Sequence, residues 1–127
     1  MAALPQELRA RMKPITKYTD NYGNSSNVSS HVTSTVDYLP LLSEYEIQGA
    51  RTYANEYERE YQQQYDYYAN GNSKVKYRQS STGSTLVWWA RSPYYNRSSL
   101  FCNVSTSGSA NNLDAYYSYG LAPAFAV

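Results

Sequence analysis

The chain holds one cysteine, Cys102, and one histidine, His31, which leaves little from which to build a nucleophile, a general base or a metal centre. A single Cys cannot close an intramolecular disulfide, and one Cys with one His cannot make a structural zinc site. His31 stands in a polar stretch with no Asp, Glu or Cys beside it, so it is expected to be an exposed loop side chain. Cys102 alternates with Val104, which predicts a buried, inert thiol on the inner face of a hairpin. No Gly-x-Ser-x-Gly nucleophile elbow occurs. Asn-x-Ser triplets at Asn24, Asn27, Asn96 and Asn103 read as coincidences in an Asn/Ser-rich chain. The chemistry on offer is recognition. Tyr94, Tyr95, Asn96, Arg97, Asn103, Asn111, Asn112, Asp114, Tyr116, Tyr117 and Tyr119 combine rigid aromatic faces with adaptable hydrogen-bonding groups. That mixture is found where proteins grip a ligand.

These candidates lie inside a stretch of unusual composition. From Pro93 to Val127 there is no Lys, Glu, Gln, Met or Trp, although those types make up about a fifth of the residues before it. On that background roughly seven would be expected. Around the filling stands a frame of large apolar residues, Gly and Pro. It is Trp88-Trp89-Ala90-Arg91-Ser92-Pro93 at one end and Gly120-Leu121-Ala122-Pro123-Ala124-Phe125 at the other. The filling has a single acidic residue, Asp114, where a calcium site needs several clustered. No metal or other cofactor is expected.

Positioning this surface falls to the elements around it. Residues 4–13 read as a short helix, with Pro5 at its first position, Leu8 and Met12 on one face and Pro14 as its stop. Residues 16–35 read as a long loop or an irregular hairpin, with a turn candidate at Asn21-Tyr22-Gly23-Asn24. Val36 to Leu42 reads as a short strand, Pro40 marking an edge or a bulge. Ser43 and Glu46 fit a capping box. Tyr53, Tyr57, Tyr61 and Tyr65 recur every four residues, with Tyr68 three further on. This spacing predicts one amphipathic helix whose tyrosine stripe packs on the core, ended by Asn70-Gly71-Asn72.

Beyond that helix, residues 73–79 read as a strand, 80–85 as a loop and Leu86 to Arg91 as a buried strand. Leu100 to Ser105 and Ser109 to Ala115 read as a hairpin about Thr106-Ser107-Gly108, and Leu121 to Val127 as a closing strand. With Cys102, Val104, Leu113 and Ala115 toward the core, Phe101, Asn103, Asn112, Asp114 and Tyr116 are expected to face out. At least one of Trp88 and Trp89 should be buried against Tyr57 and Tyr61. Gly108 and Gly120 are expected at positive φ.

The chain is 127 residues with 11 basic and 10 acidic side chains and a net charge of +1. That length predicts one domain, residues 1–127. No basic stripe is present, so no nucleic acid is expected as partner. No run reaches the apolar length of a membrane span. Met1-Ala2-Ala3-Leu4-Pro5-Gln6-Glu7-Leu8 has no basic region followed by an apolar one, so no secretory signal is expected and a soluble protein of a reducing compartment is.

The framing residues carry a resemblance. Trp88 to Pro93, Val104, Gly108, Gly120 and Pro123 to Phe125, with Leu41-Leu42-Ser43-Glu44 and Glu46 upstream, resemble the signature of an uncharacterised gut-bacterial and prophage family. Its ends read WWLRSP…GVRPAF, and its fold is C-type-lectin-like, near the formylglycine-generating-enzyme group. The resemblance covers most of the chain. It implies an α+β, C-type-lectin-like domain with an antiparallel C-terminal sheet packed on the Tyr-striped helix. Ala122 stands where the commoner pattern has Arg, so any ion pair made by that Arg is missing here. Family members usually carry an upstream β-rich part, so the chain is expected to be a fragment or a natural short form. Formylglycine-type chemistry relies on paired cysteines, and one Cys is too few.

Some proteins of this fold are diversified by retroelements that randomise adenines in a template repeat. An AAC codon randomised at both adenines yields every amino-acid type except Lys, Glu, Gln, Met and Trp, the types absent after Pro93. The resulting expectation is a non-enzymatic binding or display domain, with a variable segment at about 93–120 turned toward a protein or a glycan. The phage particle and the bacterial cytoplasm or surface all suit it. The alternative is a structural or interaction part of a larger prophage or bacterial surface protein, its tyrosine-rich face packed on a missing upstream domain or a second subunit. A degenerate formylglycine-generating-type enzyme is the distant third.

Overall fold

Polar side chains at Ser43 and Asn55 tie off backbone groups and start two of the short helices. The computed structural model describes residues 4–23, 27–78 and 83–127. Gln6–Arg11 form helix α1, which buries none of its own residues. Pro5 takes its cap and the buried Met12 follows it. Ile15–Asp20 (β1) and Val32–Asp37 (β2) then pair antiparallel, Ile15 opposite Asp37 and Asp20 opposite Val32. Of the two readings of 16–35, the hairpin is the one that forms. Gly23 turns it at φ 57. Asn24, the last residue of the expected turn, lies outside the described residues. β2 starts and stops earlier than the strand expected at Val36 to Leu42, and Leu41 makes only an isolated bridge to Pro123.

Glu44–Gln48 form α2 behind the expected capping box. Ser43 Oγ accepts the Glu46 N–H, and the Glu46 carboxylate accepts the Ser43 N–H. Gly49 closes the helix at φ 73, the left-handed conformation that suits glycine at a helix end.

The single tyrosine-striped helix does not form, which corrects the expectation. Asn55 Oδ1 accepts the Tyr57 N–H and starts a 3-10 helix at Glu56–Tyr61. Gln62 then turns extended, at φ −135 and ψ 152. A four-residue helix, α3, follows at Asp66–Ala69. Three hydrogen bonds hold the extended link against the rest of the chain: Gln62 Nε2 to Tyr18 O, Gln64 Nε2 to Ile47 O and Tyr65 N to Glu46 O. Long-range bonds of this kind override a local periodicity. The stripe is split accordingly. Tyr68 is buried, and Tyr53 and Tyr65 pack against the core. Tyr61 is exposed and stacks on Tyr18 at 4.2 Å.

Lys76–Tyr77 (β3) pairs with Thr85–Leu86 (β4). Of the strand expected at 73–79, only these two residues are strand, and Gln79 lies outside the described residues, as do 80–82 of the expected loop. Trp88–Pro93 (β5), Leu100–Val104 (β6) and Ala110–Asp114 (β7) form an antiparallel sheet in that order. The expected hairpin is β6–β7, turned by Gly108 at φ 90. No closing strand follows; the last residues make isolated bridges, Lys13 to Ala126 and Leu41 to Pro123. Leu42, Ile47, Ala54, Tyr68, Trp88, Ala90, Cys102 and Val104 make the core. Short helices and antiparallel sheets around one core make the fold α+β.

Trp88 is the Trp that is buried, but it joins Tyr68 and its neighbours in the core, not Tyr57 and Tyr61. Its Nε1 donates to Lys74 O at 2.9 Å, which satisfies the one polar atom of the ring.

Candidate ligand-binding face

The frame is held from below by buried charge. Arg91, on β5, donates to Thr19 Oγ1 at 2.7 Å, to Leu41 O at 2.6 Å and to Tyr18 O at 3.2 Å, and pairs with Glu46 at 3.1 Å. The other Glu46 oxygen meets Lys17, which also donates to Tyr65. Glu44 accepts the N–H groups of Thr52, Tyr53 and Ala54. One strand is thus bolted to β1 and to α2, and every charge in the bolt has partners. Burial raises the Cys102 thiol pKa well above its ordinary value, with the Glu44 and Glu58 charges adding to it. The thiol stays protonated, as a buried, inert thiol would.

Cross-strand pairing assigns the faces of the C-terminal sheet. Residues directly opposite in antiparallel strands share a face. Cys102 lies opposite Asn112, Leu100 opposite Asp114 and Trp88 opposite Val104. Phe101 lies opposite Leu113, and Asn103 opposite both Asn111 and Trp89. The outward set is therefore Trp89, Phe101, Asn103, Asn111 and Leu113. This corrects β7 by one residue: Leu113 faces out, while Asn112 and Asp114 share the side of Cys102.

Gly120 bridges Trp88 on the edge of β5 that β6 leaves free. The link from Asp114 to Gly120 must then cross from the β7 edge of the sheet to the β5 edge. It crosses over the outward face, because the Tyr119 ring lies 5.1 Å from that of Trp89. Tyr117 stacks on Tyr119 at 5.5 Å, and Tyr116 meets Tyr117 at 4.6 Å. Four aromatic rings form a continuous ladder, ending in Tyr116 at 77 % exposure. Asn103, expected outside, is buried at 3 % exposure, and neither polar atom of its side-chain amide has a hydrogen-bond partner among the described residues. Next to it on the same face, Trp89, Phe101, Ala115 and Leu121 help line an apolar recess of about 360 Å³.

A family model described as a domain of unknown function, DUF6273, matches residues 1–127. The chain belongs to the DUF6273 family. No curated protein and no solved structure matches it.

In this DUF6273 domain the expected contact residues fall into separate groups. Tyr116, Tyr117 and Tyr119 come together on the ladder. Tyr94 and Tyr95 form a second cluster, Tyr94 edge-on to Tyr53 at 5.7 Å and Tyr95 beneath the Arg51 guanidinium at 4.7 Å. Asn96 and Arg97 are exposed in the loop between β5 and β6. Asn111 is half-buried on the outward face and bonds the Asn112 N–H. Trp89 belongs to the ladder but was read as frame; only the strand register reveals it. His31 packs on Tyr22 at 4.2 Å and is partly buried, not an exposed loop side chain. No helix among the described residues is long and apolar enough to cross a membrane.

Proposed function

We propose that this DUF6273 domain is a non-enzymatic binding module of C-type-lectin-like fold, whose outward face grips a protein ligand and varies between copies. The observation that carries this reading is the ladder Trp89–Tyr119–Tyr117–Tyr116 on a link crossing the C-terminal sheet. Rigid, partly exposed aromatics beside an apolar recess are the usual makeup of a protein-binding hot spot. The composition of residues 93–127 supports variation by a retroelement. The rungs at 116, 117 and 119 lie inside the filling, while the buried Trp88, Ala90 and Ser92 lie in the frame. The antiparallel C-terminal sheet supports the lectin-like arrangement.

A displayed library randomised at Tyr94, Tyr95, Asn96, Arg97, Asn111, Tyr116, Tyr117 and Tyr119, selected against a folded protein such as lysozyme, tests the reading. Folded binders whose affinity depends on these positions are expected. A library that is mostly unfolded by proteolysis, or one yielding only glycan binders on a sugar array, overturns the protein-binding face. A parent chain that sediments as an oligomer burying Tyr116 and Tyr117 favours a subunit contact instead. Sequencing the DNA around the gene for a reverse transcriptase and a near-copy of codons 93–120 tests the origin of the variation separately.

A further inference from the structure

A second concavity lies wholly outside the variable segment. It has a volume of about 530 Å³, within the range of roughly 300–1,000 Å³ typical of small-molecule sites. One wall is the stacked pair Tyr18 and Tyr61, with rings 4.2 Å apart and 15° from parallel. Tyr67 also belongs to the lining at 59 % exposure, and Tyr61 is 57 % exposed. Between them run Gln62, Gln63 and Gln64. Gln62 and Gln64 are spent on holding the chain, as described above, so this wall is pinned in place. The side chains of Gln63 and Asp66 make no hydrogen bond within the described residues and remain available.

The electrostatics narrow the ligand. Lys17 is the lining's one cation, yet it is buried and engaged by Glu46 and Tyr65. A phosphate or carboxylate would have to break that pair to gain a partner, leaving Glu46 buried with less compensation. Asp66 adds an exposed negative charge to the rim, which disfavours anions further. Amide, carboxylate and phenol groups make the lining too polar for a purely apolar guest, whose arrival would strip water from them without replacement. A neutral molecule with apolar faces and hydroxyl edges suits this lining. Tyrosine rings pack on the C–H faces of a pyranose, while planar amide and carboxylate groups bond its hydroxyls.

We infer that the Tyr18–Tyr61 cleft is a binding site for a neutral saccharide, separate from the variable face and the same whatever residues that face carries. Titration of the labelled chain with maltohexaose, xylohexaose, chitotriose and, as the anionic comparison, trigalacturonate tests this by amide shifts in nuclear magnetic resonance spectra. At least one neutral sugar should shift amides at 16–18 and 61–67, with millimolar affinity (about −4 kcal/mol), and trigalacturonate should not. Tyr61→Ala should weaken that binding tenfold or more, and Gln63→Ala should weaken it too if Tyr61→Ala fails to fold. Asp66→Asn should narrow the discrimination against trigalacturonate. Tyr116→Ala with Tyr117→Ala should leave sugar binding unchanged while removing contacts from the variable face, so the two sites fail independently. The inference is overturned if no neutral sugar shifts those amides at about 20 mM, well above the millimolar range of weak sites. It is equally overturned if trigalacturonate binds as well as the neutral sugars, or if the shifts map to 116–119.

Discussion

Ser92 Oγ donates a 2.6 Å hydrogen bond to Glu58 Oε2 in a place that solvent does not reach. The other Glu58 oxygen accepts the Asp20 N–H at 2.8 Å, and Ser92 Oγ itself accepts the Glu44 N–H at 3.1 Å. One buried carboxyl thereby joins β1, the 3-10 helix at Glu56–Tyr61, and β5. Desolvation lifts its pKa from 4.5 to about 7, against the hydrogen bonds from Ser92 and Asp20 and the charge of Arg91, which all pull it down.

A pH dependence of stability follows. The folded state holds the Glu58 proton more tightly than the unfolded chain does, so between the two pKa values it binds more protons. Stability should therefore fall as pH rises from 4.5 toward 7 and level off above it, by an amount on the order of 3 kcal/mol from this group. Glu58→Gln should flatten that slope, since an amide stays neutral. Urea unfolding at pH 5 and pH 8 checks it; an equal slope in both proteins would remove Glu58 as the cause.

Trp88 and Trp89 should respond differently to truncation. Trp88 is fully buried, and Trp88→Ala should cost about 3–5 kcal/mol by opening a cavity. Trp89→Ala should cost less, because its ring lies partly exposed beneath Tyr119. Its measurable effect should be a looser link at 115–119, read as faster amide exchange there. Thermal melts of both variants compare the two; a larger loss for Trp89→Ala contradicts the face assignment.

Asn103 offers a chance to gain stability. Its side-chain amide is buried and has no partner among the described residues, so Asn103→Val should be neutral or stabilising by about 1 kcal/mol, as an apolar replacement removes an unpaid desolvation cost. Asn103→Asp should do the reverse and destabilise. Chemical denaturation of the three proteins at pH 7 decides it, and a strongly destabilised Asn103→Val would mean the amide has a partner.

Gly108 and Gly120 should fail for different reasons. Gly108 sits at φ 90, so Gly108→Val should cost about 1–3 kcal/mol of backbone strain that no neighbouring mutation relieves. Gly120 is not at positive φ, which corrects the expectation for it; there a Cβ would strike Leu86 Cδ1. Gly120→Ala should destabilise moderately, and adding Leu86→Ala should show a favourable coupling energy in a double-mutant cycle. Absence of coupling would place the constraint elsewhere.

The sequence alone determined the local punctuation. Ser43 with Glu46 starts a helix because both capping bonds are made within four residues, and Gly108 and the β6–β7 hairpin follow from equally short-range geometry. Cys102 as a buried thiol was legible from strand alternation beside Val104. Only tertiary structure decided the tyrosines at 53, 57, 61, 65 and 68. Their spacing suits a helix, yet hydrogen bonds from Gln62, Gln64 and Tyr65 to residues 17 to 44 positions away draw the chain out straight. The outward face was likewise undecided. A one-residue error in β7 exchanges Leu113 for Asn112 and Asp114, because side chains alternate with a period of two. Trp89 joins the aromatic ladder only because the link from β7 crosses the sheet to reach Gly120. That crossing is set by a bridge between residues 88 and 120, and no local pattern encodes it.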